Sequence, residues 1–197
     1  MLREAIIFVL ETIVHLFVLA VLLRFYAQAF RAPFRNPLTD FIVALTDWIV
    51  KPMRRIIPGV LKLDLASLIV AWIALACLAL FAFVLRGYAS VLHPLFWPGL
   101  FSFAFVAGIK LSLYLLIGVL IVQAVLSWVS PHHPVAPFFE ALTRPFLKHF
   151  RRFIPTVGGI DLSPLVLLVI CQLLLVVVLK HGEVLALKAI YLAVAGI

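Results

Sequence analysis

Four apolar runs decide what this chain can become. Residues 65–85 hold 21 positions without a charge, residues 111–129 hold 19 and residues 162–179 hold 18. About 20 mainly apolar residues carry a helix across the hydrocarbon core of a bilayer. Each run is therefore predicted to be a membrane span. Residues 5–30 make a fourth, in which Glu11, His15 and Arg24 stand among Ile, Leu, Val and Phe. In lipid every backbone polar group must find its partner within the protein, which selects helices for spans of this length. The expected fold is an all-α membrane protein with four transmembrane helices. Composition agrees, with 66% hydrophobic and 12% charged residues. Soluble domains are about half apolar and about a quarter charged. A soluble globular enzyme, a disordered chain and a disulfide-stapled miniprotein are excluded.

The first run could also be read as a cleavable leader. Glu11 and His15 interrupt its apolar core, and Arg3-Glu4 gives no net positive start, so retention is expected. Residues 89–110 are apolar but carry Pro94, Pro98, Gly99 and Gly108. One helix over 95–129 would be roughly 50 Å long. The expectation is an interfacial or re-entrant connection at 89–110 that leads into the span at 111–129. Residues 181–197 are expected to form an apolar surface tail.

Positive charge is unevenly placed. Ten of the 16 Lys and Arg residues fall in the connections 31–62 and 130–161. Lys and Arg are retained on the cytoplasmic side, so both basic loops are expected inside and both termini outside. Basic residues flanking apolar runs point to anionic lipid head groups as partners. The net charge of +8 comes with no nucleic-acid-binding motif, and nucleic acid is not expected. Cys77 and Cys171 lie within apolar runs and form no C-x-x-C, so no redox motif or covalent haem attachment is expected.

The chain also repeats itself. A shift of 97 residues lays 36–65 over 133–162 without a gap, and 13 of the 30 positions are identical. They include Thr46/Thr143, Lys51/Lys148, Arg54/Arg151, Arg55/Arg152 and Asp64/Asp161. Two spans separate equivalent points, so the halves run parallel, related by an axis along the membrane normal. The repeated loop has helical periodicity. Leu38, Phe41, Ile42, Leu45, Trp48, Ile49, Met53 and Ile56 mark one face, with Lys51, Arg54 and Arg55 off it. Such a helix lies in the membrane interface. The fold expected is thus two parallel repeats (1–88 and 111–180), each of helix, amphipathic interfacial helix and helix. Pro52 and Pro145 are expected to bend or break the amphipathic helices, and Pro58 and Pro155 to end them.

These segments resemble a known family. Leu45-Thr46, Lys51-Pro52-Met53-Arg54-Arg55-Ile56-Ile57-Pro58 and Asp64-Leu65, with Leu142-Thr143-Arg144-Pro145 and 151–164 in the second copy, are similar to the paired signature of the YggT family. Asn36-Pro37 and Leu126-Ser127-Trp128 fit as well. The first copy has Leu61-Lys62 where the second has Gly158-Gly159. The resemblance implies a small multi-pass protein of the bacterial inner membrane, linked to osmotic tolerance and ion homeostasis. It further implies relatives tied to cell division or to membrane-protein assembly, including cytochrome haem attachment in plastids. It implies no enzymatic activity.

The candidate site is the doubled basic-and-acidic pattern: Lys51, Arg54, Arg55 and Asp64, then Lys148, Arg151, Arg152 and Asp161. The arginines suit lipid phosphate or a protein partner. Each aspartate stands where a carboxylate can cap a helix or pair with an arginine. Glu11 and His15 lie one helical turn apart and form a second candidate, an intramembrane ion relay. Gln123 and Gln172 are placed to hydrogen-bond between helices. His132, His133 and His149 lack carboxylate or cysteine partners, so no metal site is expected. No cofactor is expected, and no catalytic constellation is present. The leading expectation is a non-enzymatic protein that organises lipids or an unidentified membrane or cytoplasmic partner, with self-association left open. The competing one is a small channel or transporter.

Overall fold

The computed structural model describes residues 1–34, 36–57, 63–87, 93–94, 96–130, 132–152 and 161–195, with the backbone alone at Trp128, Ala189 and 193–195. Helix α1 covers Leu2–Ala29, α2 Pro37–Ile56 and α3 Leu65–Leu85. The second half holds α4 (Phe96–Val129), α5 (Ala136–Phe150), α6 (Ser163–Leu173) and α7 (Lys180–Ala195). A π-helical stretch, Leu174–Leu179, joins α6 to α7 in one rod. Four helical segments are long and apolar enough to cross a membrane: Leu2–Ala29, Leu65–Leu85, Phe96–Ser127 and Ser163–Leu192.

Two expectations about the second half need correction. Residues 96–110 are not a separate interfacial or re-entrant segment, because α4 runs unbroken through Lys110. At 1.5 Å per residue its 34 residues reach about 51 Å. The length is absorbed at the basic end of the bundle. Phe96 lies against Phe83 near the end of α3, with ring centroids 6.4 Å apart, and Val119 packs with Ala27 near the end of α1. Residues 120–129 continue beside α5, where Leu120 meets Leu147. The tail beyond Lys180 is likewise not a surface appendage. It is the far half of the fourth span, with Ile190 packed among Ala79, Phe83, Phe96 and Leu100. Both corrections follow from one fact. The uncharged runs 111–129 and 162–179 stop at Lys110 and Lys180, but each lysine lies inside a continuous helical rod.

Local signals build the amphipathic helices. Asn36 accepts from the Thr39 N–H at 3.0 Å, and the Thr39 hydroxyl accepts from the Asn36 N–H at 3.4 Å, a reciprocal cap ahead of α2. Pro37 and Pro137 stand in the first turns of α2 and α5, where a missing N–H costs nothing. Pro52 and Pro145 lie inside those helices, so of the expected bend or break the break does not occur. Pro58 and Pro155 fall outside the described residues.

Both amphipathic helices sit at one end. Leu38 of α2 and Phe138, Phe139 and Leu142 of α5 share a cluster with Ala27 and Ala32. Phe30 meets Phe146 edge-on, with centroids 5.6 Å apart. At mid-height α1, α3 and α4 close on Val18, Val21, Leu22, Val70, Ala71, Leu75, Ala104 and Leu111. Cys171 is buried, whereas Cys77 is exposed on the outer surface of α3.

Candidate functional site

The residues singled out at the basic end form two equivalent latches. Arg54 Nε donates to Asp64 Oδ1 at 3.1 Å and its Nη2 to Oδ2 at 2.5 Å. The Ser67 hydroxyl donates to the same Oδ2 at 2.5 Å. In the second half Arg151 Nε donates to Asp161 Oδ2 at 2.7 Å. Positions 54 and 64 plus 97 are 151 and 161, so both partners of the latch repeat. Each ties the end of an amphipathic helix to the start of the next span. The two differ in burial. The Asp64 side chain is 2% exposed and that of Asp161 30%. Capping differs too. The Ser163 N–H donates to Asp161 Oδ1 at 2.9 Å, whereas at the head of α3 the Ser67 N–H donates to the Asp64 backbone carbonyl at 3.1 Å.

Burial pushes the Asp64 carboxyl up, but hydrogen bonds from Arg54 and Ser67 outweigh it and leave it below the usual carboxylate range. Asp161 is lowered in the same way, burial being outweighed by Ser163 and then Arg151. The second arginine of each pair stays out of the latch. Arg55 and Arg152 are exposed and make no ion pair among the described residues, as do Lys148 and Arg144. Lys51 is 71% exposed and touches Asp47 at 2.6 Å. Residues 58–62 and 153–160, including Leu61-Lys62 and Gly158-Gly159, lie outside the described residues.

A second doubled contact was not singled out from sequence. Thr46 and Thr143, both identical in the repeat, are fully buried on α2 and α5. Arg24 of α1 donates to Thr46 Oγ1 at 2.7 Å, and the Thr143 hydroxyl donates to Gln123 Oε1 of α4. The repeat identity at these threonines was the available signal. Arg24 is buried, at 5% exposure, and also meets Asp47 at 2.8 Å. It does not reach out to head groups. Gln172 is exposed and bridges no helices, unlike Gln123.

The other candidate pair, Glu11 and His15, opens onto a cavity of about 730 Å³ at the end of the bundle away from the basic helices. α1 contributes Glu11 and His15, α3 Arg86, α4 Lys110 and Tyr114, and α7 Glu183 and Tyr191. Lys110 Nζ donates to Glu183 Oε1 at 2.7 Å across 73 positions of sequence. Lys110 stands level with the middle of α3. A Cβ built on Gly108, half a turn earlier, meets Leu75 at 3.6 Å. At the rim Arg86 meets Glu4 at 3.6 Å. Sequence reasoning missed Lys110 and Glu183 because it used the lysine as a span edge. No group of three or more His, Cys, Asp or Glu able to hold a metal occurs among the described residues.

A bundle of four apolar helices in two parallel halves, each bent through an amphipathic basic helix, defines a multi-pass helical membrane protein with an internal repeat. Comparison with known proteins makes this more specific. The CCB3/YggT family model matches at residues 3–93 and 102–181, and the chain belongs to that family. It is 39% identical over 165 residues to an uncharacterized protein of Vibrio alginolyticus, covering 82% of this chain and 86% of that one. An uncharacterized protein of Pseudomonas aeruginosa is 37% identical, covering 83% of each. The uncharacterized protein YggT of Escherichia coli K12 is 35% identical, again covering 83% of each. No solved structure matches the chain.

Proposed function

We propose that the protein is a non-enzymatic organiser of the inner membrane whose basic end, facing the cytoplasm, binds anionic phospholipid. The observation that carries this reading is the division of labour within each arginine pair. Arg54 and Arg151 are consumed by Asp64 and Asp161, while Arg55 and Arg152 remain exposed on the same end of the bundle. With Lys51, Arg144 and Lys148 they give five exposed cations beside the aromatic faces of α2 and α5. Each basic residue near an anionic leaflet is worth about 1 kcal/mol. Orientation follows from the same charge, since Lys and Arg stay on the cytoplasmic side. A membrane or cytoplasmic protein partner would use this surface too, and any role in osmotic tolerance would act through it. The test uses full-length protein in nanodiscs of phosphatidylglycerol or phosphatidylcholine. Arg55→Gln with Arg152→Gln is expected to weaken the preference for the anionic lipid by about 2 kcal/mol while leaving the bundle folded. An unchanged preference overturns the reading.

A transporter is the second reading, and the charged cavity favours it. Charged side chains inside the hydrocarbon region cost about 2.5–3.5 kcal/mol each and usually mark a substrate or ion path.

A further inference from the structure

We propose that the cavity between α1, α3, α4 and α7 is a binding site for a zwitterionic molecule, one that carries an amine cation and an anionic group. This goes beyond the lipid-binding role of the opposite, basic end and does not depend on it. Three observations carry it. The first is size. A volume of about 730 Å³ is far beyond a bare ion and falls within the range of small-molecule sites, about 300–1,000 Å³. The second is charge balance. Two carboxylates, Glu11 and Glu183, come from α1 and α7, and two cations, Arg86 and Lys110, from α3 and α4. His15, Tyr114 and Tyr191 complete the polar lining, and Leu75, Leu78, Ala79, Phe83, Phe103 and Leu187 supply the apolar wall. A purely anionic or purely cationic ligand would leave half of these charges facing it with the wrong sign.

The third is partnering. Glu183 is held by Lys110 at 2.7 Å and Arg86 by Glu4 at 3.6 Å, whereas Glu11 makes no ion pair among the described residues. A carboxylate within the apolar bundle that lacks a counter-ion favours binding a cationic group. A zwitterion meets both needs of the site. Its amine sits at Glu11, and its anionic group shares Lys110, an ammonium with three N–H donors that keeps Glu183 on one of them. The Lys110 and Glu183 side chains are 36% and 23% exposed, so the pair is reachable from the cavity. The internal pair stays in place and the ligand's anion adds to an ammonium that is already partnered, so the binding expected is weak and selective.

The amine-plus-anion chemistry has two natural sources, a phosphoethanolamine lipid head group and a free amino acid. The experiment is calorimetry on the full-length protein in phosphatidylcholine nanodiscs. The probes are glycerophosphoethanolamine and 5-aminovalerate as zwitterions, with ethanolamine and glycerol 3-phosphate as singly charged controls. At least one zwitterion is expected to bind at least about tenfold more tightly than either control, the size of one charged hydrogen bond. Binding confined to glycerophosphoethanolamine assigns the head group, and binding confined to 5-aminovalerate assigns the free solute. Glu11→Gln, which disturbs no ion pair, is expected to weaken binding by about tenfold or more. The double variant Lys110→Met with Glu183→Leu removes a complete pair and leaves no buried charge behind. It too is expected to lose the zwitterion preference while keeping the melting temperature. Equal binding of zwitterions and controls, or full binding by both variants, overturns the proposal.

Discussion

Replacing Asp64 by Asn separates two ideas about the latches. One is that they are equivalent because their sequences repeat. The other is that burial decides their strength. The Asp64 side chain is 2% exposed and that of Arg54 39%, against 30% and 46% for Asp161 and Arg151. Breaking a fully buried pair costs about 3–5 kcal/mol, and an exposed one contributes at most about 1 kcal/mol. The first latch falls between these limits. Arg54 already touches Gln28 Oε1 at 3.0 Å and keeps that partner when the carboxylate goes, so about 2 kcal/mol is expected. The second is expected to yield about 0.5 kcal/mol, as a largely exposed pair does. Double-mutant cycles, Asp64→Asn with Arg54→Gln and Asp161→Asn with Arg151→Gln, isolate the coupling in each. Cys171 provides the assay, since it is 1% exposed in the bundle and reacts with a fluorescent thiol reagent only when the bundle opens. Cys77→Ser removes the exposed thiol that would react in the folded state. Equal coupling energies in the two cycles, or the larger one in the second half, would refute the burial argument.

Three further outcomes follow from the geometry. Asp47→Asn should cost about 3 kcal/mol, because it leaves Arg24 charged at 5% exposure, whereas Arg24→Leu should cost less, because Asp47 keeps Lys51 at 2.6 Å; thermal unfolding of the two variants compares them. Asp64 and Asp161 have carboxyl groups lowered in the folded state, so their stabilisation is fully present above the unfolded value and fades as pH falls through the folded one. Both latches are therefore expected to hold at neutral pH and release below about pH 4, read as acid-dependent Cys171 reactivity that Asp64→Asn shifts or removes. In spheroplasts, cysteines introduced by Arg55→Cys and Arg152→Cys are expected to be shielded from an impermeant thiol reagent, and one introduced by Lys188→Cys to be labelled; labelling of the two arginine positions from opposite sides would defeat the parallel-repeat topology.

Much of the fold was legible because lipid allows so few choices. An uncharged run such as 65–85 has almost no alternative to a spanning helix, and α3 starts and stops at those residues. The arginine–aspartate pattern was legible because repetition marks it twice. Lys110 shows where the reading ran out. A lone lysine between apolar residues is most simply a span edge, and a sequence window has no means of supplying Glu183, 73 residues away. The repeat did hold the needed clue. A shift of 97 carries α1, Leu2–Ala29, onto 99–126, which places Lys110 inside a span, opposite Ile13. The tail failed for a related reason. Residues 184–197 are too few to cross alone, but α7 does not cross alone, because the π-helical stretch keeps it in line with α6.

The repeat also explains why the cavity has charges of both signs. Arg86 and Glu183 differ by 97 positions and so are equivalent in the repeat, Arg86 at the end of α3 and Glu183 within the fourth span. Each pairs with the preceding span of its own half, Arg86 with Glu4 and Glu183 with Lys110. The polarity is reversed between the halves. Like charges at both repeat positions would share one cavity, where the low dielectric makes repulsion expensive. Reversal removes that repulsion and leaves a lining that attracts an amine on one side and an anion on the other. The basic end shows the opposite pattern. There the latch residues are identical in both copies, and the unlatched cations add up instead of cancelling. Repetition with conserved sign suits a surface that meets an anionic leaflet, and repetition with inverted sign suits a pocket that must hold charges within the membrane. The same duplication therefore yields two chemically distinct ends, and substitutions at one are expected to leave the other intact.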